Sequence, residues 1–499
     1  MSVFQSSAAE CPSRSMLAMK KLSRRSFVKA GSVALGGVAI VPRHVLGGPG
    51  FRAPSDTIML GCVGVGSQGL RVMMDLLQED AVRIAAVCDV NEGSGDYVEW
   101  GDGELRGKVR RLLGDDSWGS ATGAWAGREP ARDIVDRYYD SKGEERTCST
   151  YEDFRVLLEQ GNVDAIVIGT PDHMHAPVAL AAMREGKHVF CQKPMAHTVT
   201  EARAMAAVAR EMNVATQVAT GNSASEDTRL LTEWVAEGAI GPVRAVHNWS
   251  SRPFWPQGIE APTEAEPIPD HLNWDLWLGP AKARPYHSAY QPFVWRGWVD
   301  FGTSSIGDMG SYSFDTLFRV LNLDAPSRIE VSSTPVPEES YPLSSSMHFE
   351  FPARDDRPAV TVHWYDAELK PQAPEEMEGA ELPEEGMLLV GDRGKILCGF
   401  NGSEPRLIPE SAMNAFEPPP KTLPRSIGHY EEWFEACMGG PPPGARFEFA
   451  GPVTEAILLG NVAIRSGKTI HWDTAKGEIT SPAESNELLH THYREGWTL

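Results

Sequence analysis

Gly64-Val65-Gly66-Ser67-Gln68-Gly69 limits the possible folds of this chain more than any other segment. It closes an apolar run, Ile58 to Val65, that reads as a buried strand. It also opens a helical pattern with Leu70, Met73, Met74 and Leu77 on one stripe. Asp89 lies 20 residues past Gly69, at the end of a second apolar run, Val82 to Val90. Strand, glycine turn, helix and distal carboxylate make a dinucleotide-binding pattern, and each part has a physical task. Gly64 makes the tight turn, Gly66 admits a pyrophosphate against the backbone, and Gly69 lets the helix pack on the strand. The helix N-terminus, where Gln68 lies, offers unpaired N–H groups and the positive end of its dipole. Asp89 can accept a hydrogen bond from a ribose 2′-hydroxyl, and its charge favours NAD over NADP.

Upstream, Ser23-Arg24-Arg25-Ser26-Phe27-Val28-Lys29 has the twin-arginine pattern of an export signal. The mildly apolar stretch that follows, Ala30 to Val41, is too short for an ordinary transmembrane helix. Residues 1–48 are therefore expected to be a leader, with Met16 or Met19 an alternative start and the mature chain beginning near Gly47-Gly48. A periplasmic or other extracytoplasmic location follows. Twin-arginine export carries folded proteins, so a cofactor can be loaded before export.

Alternating strand and helix patterns from residue 57 to about 220 call for a parallel sheet. The reading is α/β. A Rossmann dinucleotide-binding domain is expected over residues 55–197, and a C-terminal α/β domain with a largely antiparallel open sheet over 198–499. Alternating strands at Ser345–Phe351, Val360–Tyr365, Met387–Val390 and Ile396–Phe400 support the second domain, with late helices near 427–438 and 452–466. Residues 92–132 interrupt the first domain with nine glycines between 93 and 127, and read as a surface insertion near the cofactor's adenine side. Thr150-Tyr151-Glu152-Asp153 resembles a capping box ahead of a helix through Leu157.

The net charge of −22 argues against nucleic acid and anionic membranes as partners. No long apolar run is evident, so no transmembrane segment is expected beyond the leader. The seven cysteines form no C-x-x-C pair and read as buried free thiols.

Three patches carry candidate chemistry. Cys191-Gln192-Lys193-Pro194 ends a predicted parallel strand, the edge where such sheets bind ligands. Lys193 is expected near the nicotinamide, with burial and the cofactor's ring lowering its pKa. In the stretch 302–315, Asp308, Tyr312 and Asp315 recur at i, i+4 and i+7 and so share one helix face. That pairing of carboxylate and phenol suits hydroxyl oxidation; composition alone also allows a capped helix with a buried tyrosine. Thr170-Pro171-Asp172-His173-Met174-His175 follows another strand, and reads as a cofactor-lining loop through Thr170, Pro171 and His175. No matching cluster lies nearby in sequence, so no metal is expected.

These patches together resemble the glucose–fructose oxidoreductase / inositol 2-dehydrogenase (Gfo/Idh/MocA) family, in its exported bacterial branch. Further marks are Trp274-Asp275-Leu276-Trp277-Leu278-Gly279-Pro280, Trp295-Arg296-Gly297-Trp298, Gly307-Asp308-Met309-Gly310 and the ending Tyr493-Arg494-Glu495-Gly496-Trp497. The resemblance implies hydride transfer between NAD(P) and a sugar or polyol hydroxyl, in a homodimer or homotetramer. It implies catalytic roles for Lys193, Asp308 and Tyr312, cofactor contacts for Gln192 and Arg296, and substrate contacts for Asn222, Trp298 and Asp315. The chain departs from the family's Glu at Gln192, from its His at Tyr312, and from Gly-Asn-Gln-Gly-His at 221–225. A tyrosine base has a reference pKa of about 10 and needs a neighbouring cation, for which Lys193 is the candidate. Two alternatives stand beside simple dehydrogenation. One is redox-neutral glycoside cleavage or epimerisation through a keto-sugar on a retained cofactor. The other is a sugar-binding homologue that keeps NAD without turnover.

Overall fold

The computed structural model describes residues 57–499, apart from 100, 102, 120–122, 145, 146 and 356. The twin-arginine leader lies outside the described residues. The apolar run after residue 57 forms β1 (Ile58–Val63), and the glycine turn feeds helix Ser67–Leu77. Then come β2 (Val82–Cys88), β3 (Ser94–Tyr97), β4 (Ala124–Ala126), β5 (Ser149–Tyr151), β6 (Ala165–Ile168), β7 (His188–Cys191) and β8 (Thr216–Val218). Six of these form an all-parallel sheet in the order β5-β2-β1-β6-β7-β8. Strand order reverses beside β1, so the crevice at its carboxyl end is the ligand position such sheets provide. The sheet runs on to Val218, past the boundary expected at 197.

The second sheet is built from β9 (Val243–Trp249), β10 (Arg328–Ser333), β11 (Ser345–Phe351), β12 (Val360–Tyr365), β13 (Gly386–Gly391), β14 (Lys395–Cys398), β15 (Arg406–Ile408), β16 (Ile470–Asp473) and β17 (Glu478–Ser481). Its order is β15-β14-β13-β9-β12-β11-β10-β16-β17, antiparallel except for the parallel β9–β12 pair. Its inner face packs on helices Gly310–Val320 and Phe447–Ser466. The latter helix begins well before residue 452 and holds Pro452 inside it. By length and composition alone this helix could cross a bilayer. Because 83% of its most apolar window is buried in protein, it is a core helix. The six described cysteines are free, five of them buried.

Two local readings need correction. The helix after β5 is capped by Asp153, whose carboxylate accepts from the Arg155 N–H, while Thr150 lies within β5. The capping box belongs instead to Thr198 and Glu201, ahead of helix Val199–Met212. The 92–132 insertion is also more than a surface excursion. It forms the β3–β4 ribbon and helix Glu104–Leu113, and its Leu105, Val109, Trp118 and Ala126 join the core under helix Ser67–Leu77. Arg71 from that helix pairs with Glu104 at 2.7 Å. Leu105→Ala is expected to cost about 2–5 kcal/mol in urea unfolding. A change within about 0.5 kcal/mol would mark the insertion as detachable.

Candidate active site

The glycine turn is built as its spacing requires. Gly64 has φ of +81°, and a side chain there would meet the backbone of Thr170 at 2.5 Å. A Cβ on Gly69 would lie 1.9 Å from the Gly64 carbonyl oxygen, so only glycine lets the helix start this close to β1. Asp89 is buried at the end of β2. Its carboxylate accepts from the Val65 N–H at 2.8 Å and from the Asn91 N–H at 2.9 Å. Burial dominates those bonds and pushes its carboxyl up to about 6.

One cavity runs from Gly64, Gly66, Gln68 and Asp89, past Thr170 and Pro171, to Gln192, Lys193, Arg296 and Tyr312. Lys193 leaves the carboxyl end of β7 and reaches across to helix Ser304–Asp308. Its ammonium donates to Asp308 Oδ1 at 2.5 Å and to the Asp308 carbonyl at 3.0 Å. Arg296 stands 3.4 Å from the same Oδ1. The expected depression of the Lys193 pKa is not found. Burial alone would lower it, but the Asp308 charge outweighs burial and the net direction is up. For Asp308 burial would raise the carboxyl, and Lys193 and Arg296 outweigh it, holding it below the usual range. The pair is therefore ionised. The Tyr312 ring lies beside it, 5.0 Å from the lysine nitrogen to the ring centre.

Other sequence candidates hold the site without lining it. His175 faces the Pro194 carbonyl at 2.7 Å and the Thr170 carbonyl at 3.0 Å, tying the two cavity loops together. His173 lies between the carbonyls of Trp277 and Phe301. Burial lowers both imidazoles, to about 4 and about 3, so each is neutral and donates from one nitrogen only. Asn222 donates to the Tyr312 carbonyl. Trp298 is buried in an aromatic cluster, its indole N–H on the Ala289 carbonyl. Asp315 does not share a cavity face with Tyr312: it is buried against Arg319 at 2.9 Å and Thr220 at 3.3 Å.

Several cavity residues escaped the sequence reading. The insertion contributes Tyr97, whose ring fills the space that a Cβ on Gly66 would enter, at 2.7 Å. Phe154 and Trp497 meet across the mouth, with ring centres 6.2 Å apart and the Arg155 guanidinium over the indole. The closing Tyr-Arg-Glu-Gly-Trp motif was visible in sequence, but its docking beside residue 154 was not. Asp172, inside the Thr-Pro-Asp-His-Met-His loop, accepts from Thr303 Oγ1 at 2.6 Å and so anchors the start of the Asp308 helix.

The profile described as "Oxidoreductase family, NAD-binding Rossmann fold" matches residues 126–220, and the one described as "Oxidoreductase family, C-terminal alpha/beta domain" matches residues 236–349. The chain belongs to the Gfo/Idh/MocA oxidoreductase family. A levoglucosan dehydrogenase from Pseudarthrobacter phenanthrenivorans is 32% identical over 109 residues, which is 21% of this chain and 28% of that protein. A "Glycosyl hydrolase family 109 protein" from Shewanella pealeana is 26% identical over 196 residues, 36% of this chain and 35% of that protein. The matches thus span about a third or less of these curated relatives. The WlbA dehydrogenase of Bordetella pertussis, solved with NADH and UDP-GlcNAcA, superposes with a TM-score of 0.52 at 15% identity. It covers 84% of this chain and 99% of that one, a likeness of fold.

The Gfo/Idh/MocA Rossmann domain binds NAD, and the residues present suit it. Gly66 and Ser67 line the cavity at a helix N-terminus, and Asp89 lines its far end. Thr170 Oγ1 is buried on the wall with no partner among the described residues, leaving a hydroxyl for a bound ligand. The carboxylate of Asp89 is the form that accepts from a ribose hydroxyl. Protonation as pH falls through about 6 is thus expected to weaken NAD binding to cofactor-stripped protein. Asp89→Asn should bind more weakly at high pH and lose that dependence in calorimetric titrations. A pH-independent parent would exclude Asp89 from the cofactor seat.

Proposed function

We propose that this Gfo/Idh/MocA protein is an exported oxidoreductase acting on a hydroxyl of a sugar, polyol or glycoside by hydride transfer with NAD. The observation that carries this reading is the ionised Lys193–Asp308–Arg296 cluster beside Tyr312: Lys193, Arg296 and Tyr312 line the same cavity as the glycine turn and Asp89, and the buried Asp308 pairs with both cations. Bound NAD supplies the hydride acceptor or donor. With Lys193 held as a cation and Asp308 as an anion, proton exchange with the substrate hydroxyl falls to Tyr312. Lys193 steadies negative charge on the phenol and on the substrate oxygen, and Asp308 fixes both cations in place. Arg296, over the Trp295 ring at 4.2 Å, and Trp277 form the wall for the sugar.

The enclosure of the cavity favours a retained cofactor. The insertion, the helix at Phe154, the aromatic loop and the tail at Trp497 all contribute to its wall. A retained cofactor suits a closed redox cycle, in which a transient ketone permits glycoside cleavage or epimerisation before reduction back. The relatives named as glycosyl hydrolase family 109 proteins agree with that version.

Tyr312→Phe and Lys193→Met are each expected to lower turnover by about 10²–10⁴-fold on a panel of sugars and glycosides. Parent-like turnover in either variant would remove these roles. Denaturing the purified protein should release near-stoichiometric NAD(H), identified by absorbance and mass. A protein that neither releases nor binds NAD would end the oxidoreductase reading. NADH that accumulates and leaves during turnover would end the closed cycle.

A further inference from the structure

Glu487, His490 and His492 bring a carboxylate oxygen and two imidazole nitrogens within 4.8 Å of one another. The cluster belongs neither to the cavity above nor to any loop the sequence reading singled out. Glu487 lies in the short 3-10 helix Ala483–Leu489, and His490 follows it in extended backbone with φ of −142° and ψ of 161°. On extended chain, residues two apart point to the same side, so His492 joins His490. The two rings meet edge to face at 4.9 Å between centres. Among the described residues, none of the three side chains has a hydrogen-bond or ion-pair partner. Arg465 lines the same small cavity as Glu487 and His490, but its guanidinium is engaged by the Glu338 carbonyl.

The backbone under the three is held on both sides. Asn486 exchanges two hydrogen bonds with the main chain of Ile479, at 2.8 and 2.7 Å. Ser485 meets Ser466 at 2.8 Å, and Thr200 donates to the Leu489 carbonyl at 3.1 Å. Downstream, Tyr493 donates to Glu201 at 2.7 Å, and Arg494 binds Asp275 and the Gly279 carbonyl. Fixed backbone on both flanks lowers the entropy cost of gathering the three ligands.

We propose that Glu487, His490 and His492 form a zinc-class metal site. Two imidazoles and one carboxylate are the donors that Zn²⁺ and its late first-row neighbours take, whereas Ca²⁺ and Mg²⁺ call for oxygen ligands throughout. Zinc bonds of about 2.0–2.1 Å in tetrahedral array need ligand atoms about 3.3 Å apart, a small side-chain adjustment from the observed spacing. The fourth position is left to water. The ion clamps the root of the tail that ends with Trp497 on the cofactor cavity.

The test uses the tag-free full chain, stripped with chelator and titrated with Zn²⁺ by calorimetry, with Co²⁺ absorption as a second probe. One ion per chain is expected, with a higher Tm and slower amide exchange across 487–497. His490→Ala with His492→Ala should lose the ion and both responses while melting like the metal-free parent. Glu487→Gln should bind more weakly. No Zn²⁺ uptake by the parent, or unchanged uptake by the double variant, overturns the site.

Discussion

The buried Lys193–Asp308 pair joins the two halves of the chain, and much of the site exists to keep it in place. Lys193 ends a strand of the parallel sheet, and Asp308 ends a helix packed against the second sheet. Either charge buried alone would be driven toward its neutral form; together, with Arg296 alongside, they stay ionised. Two cations against one carboxylate leave the cluster with an excess positive charge where an alkoxide or phenolate would form. In a wall of aromatic rings that excess acts at short range with little screening.

Geometry this short must be held from outside. Asp172 fastens Thr303 at the head of the Asp308 helix, and Asn461 of the long core helix binds the Thr303 carbonyl at 2.7 Å. The two histidines of the Thr-Pro-Asp-His-Met-His loop act in the same way. Buried and neutral, they bracket carbonyls of the Lys193 loop and of the aromatic loop. The sequence places them in a cofactor-lining loop, and in the fold their ring nitrogens face main-chain oxygen behind the cavity wall.

What sequence made legible was local and periodic. The glycine turn, Asp89 and strands such as Val360–Tyr365 each announce themselves within a few residues, through backbone freedom or alternation. What it hid depends on distant partners. Val243–Trp249 is an interior strand of the second sheet, pairing parallel with β12 and antiparallel with β13, and no local pattern reveals a mixed strand. Asp308, Tyr312 and Asp315 do not share one helix face: the helix is interrupted at Met309, between Asp308 and Tyr312, and Asp315 turns away from the cavity to Arg319 and Thr220. The insertion's apolar residues are sparse among glycines, so its share in the core emerges only once helix Ser67–Leu77 is beside it.

The cavity is completed by residues far apart in the sequence. Gly64 at the close of the first strand and Trp497 near the last residue line the same space. The tail reaches it through Tyr493 on Glu201, then Arg494 on Asp275 and Gly279, then the indole against Phe154 and Arg155. Each contact is modest by itself, but they act in series along one strand of chain. A cofactor seated before the tail docks would leave only after those contacts open together. On the proposed retained-cofactor reading, exchange would wait on local opening of the tail and need no covalent link to be slow.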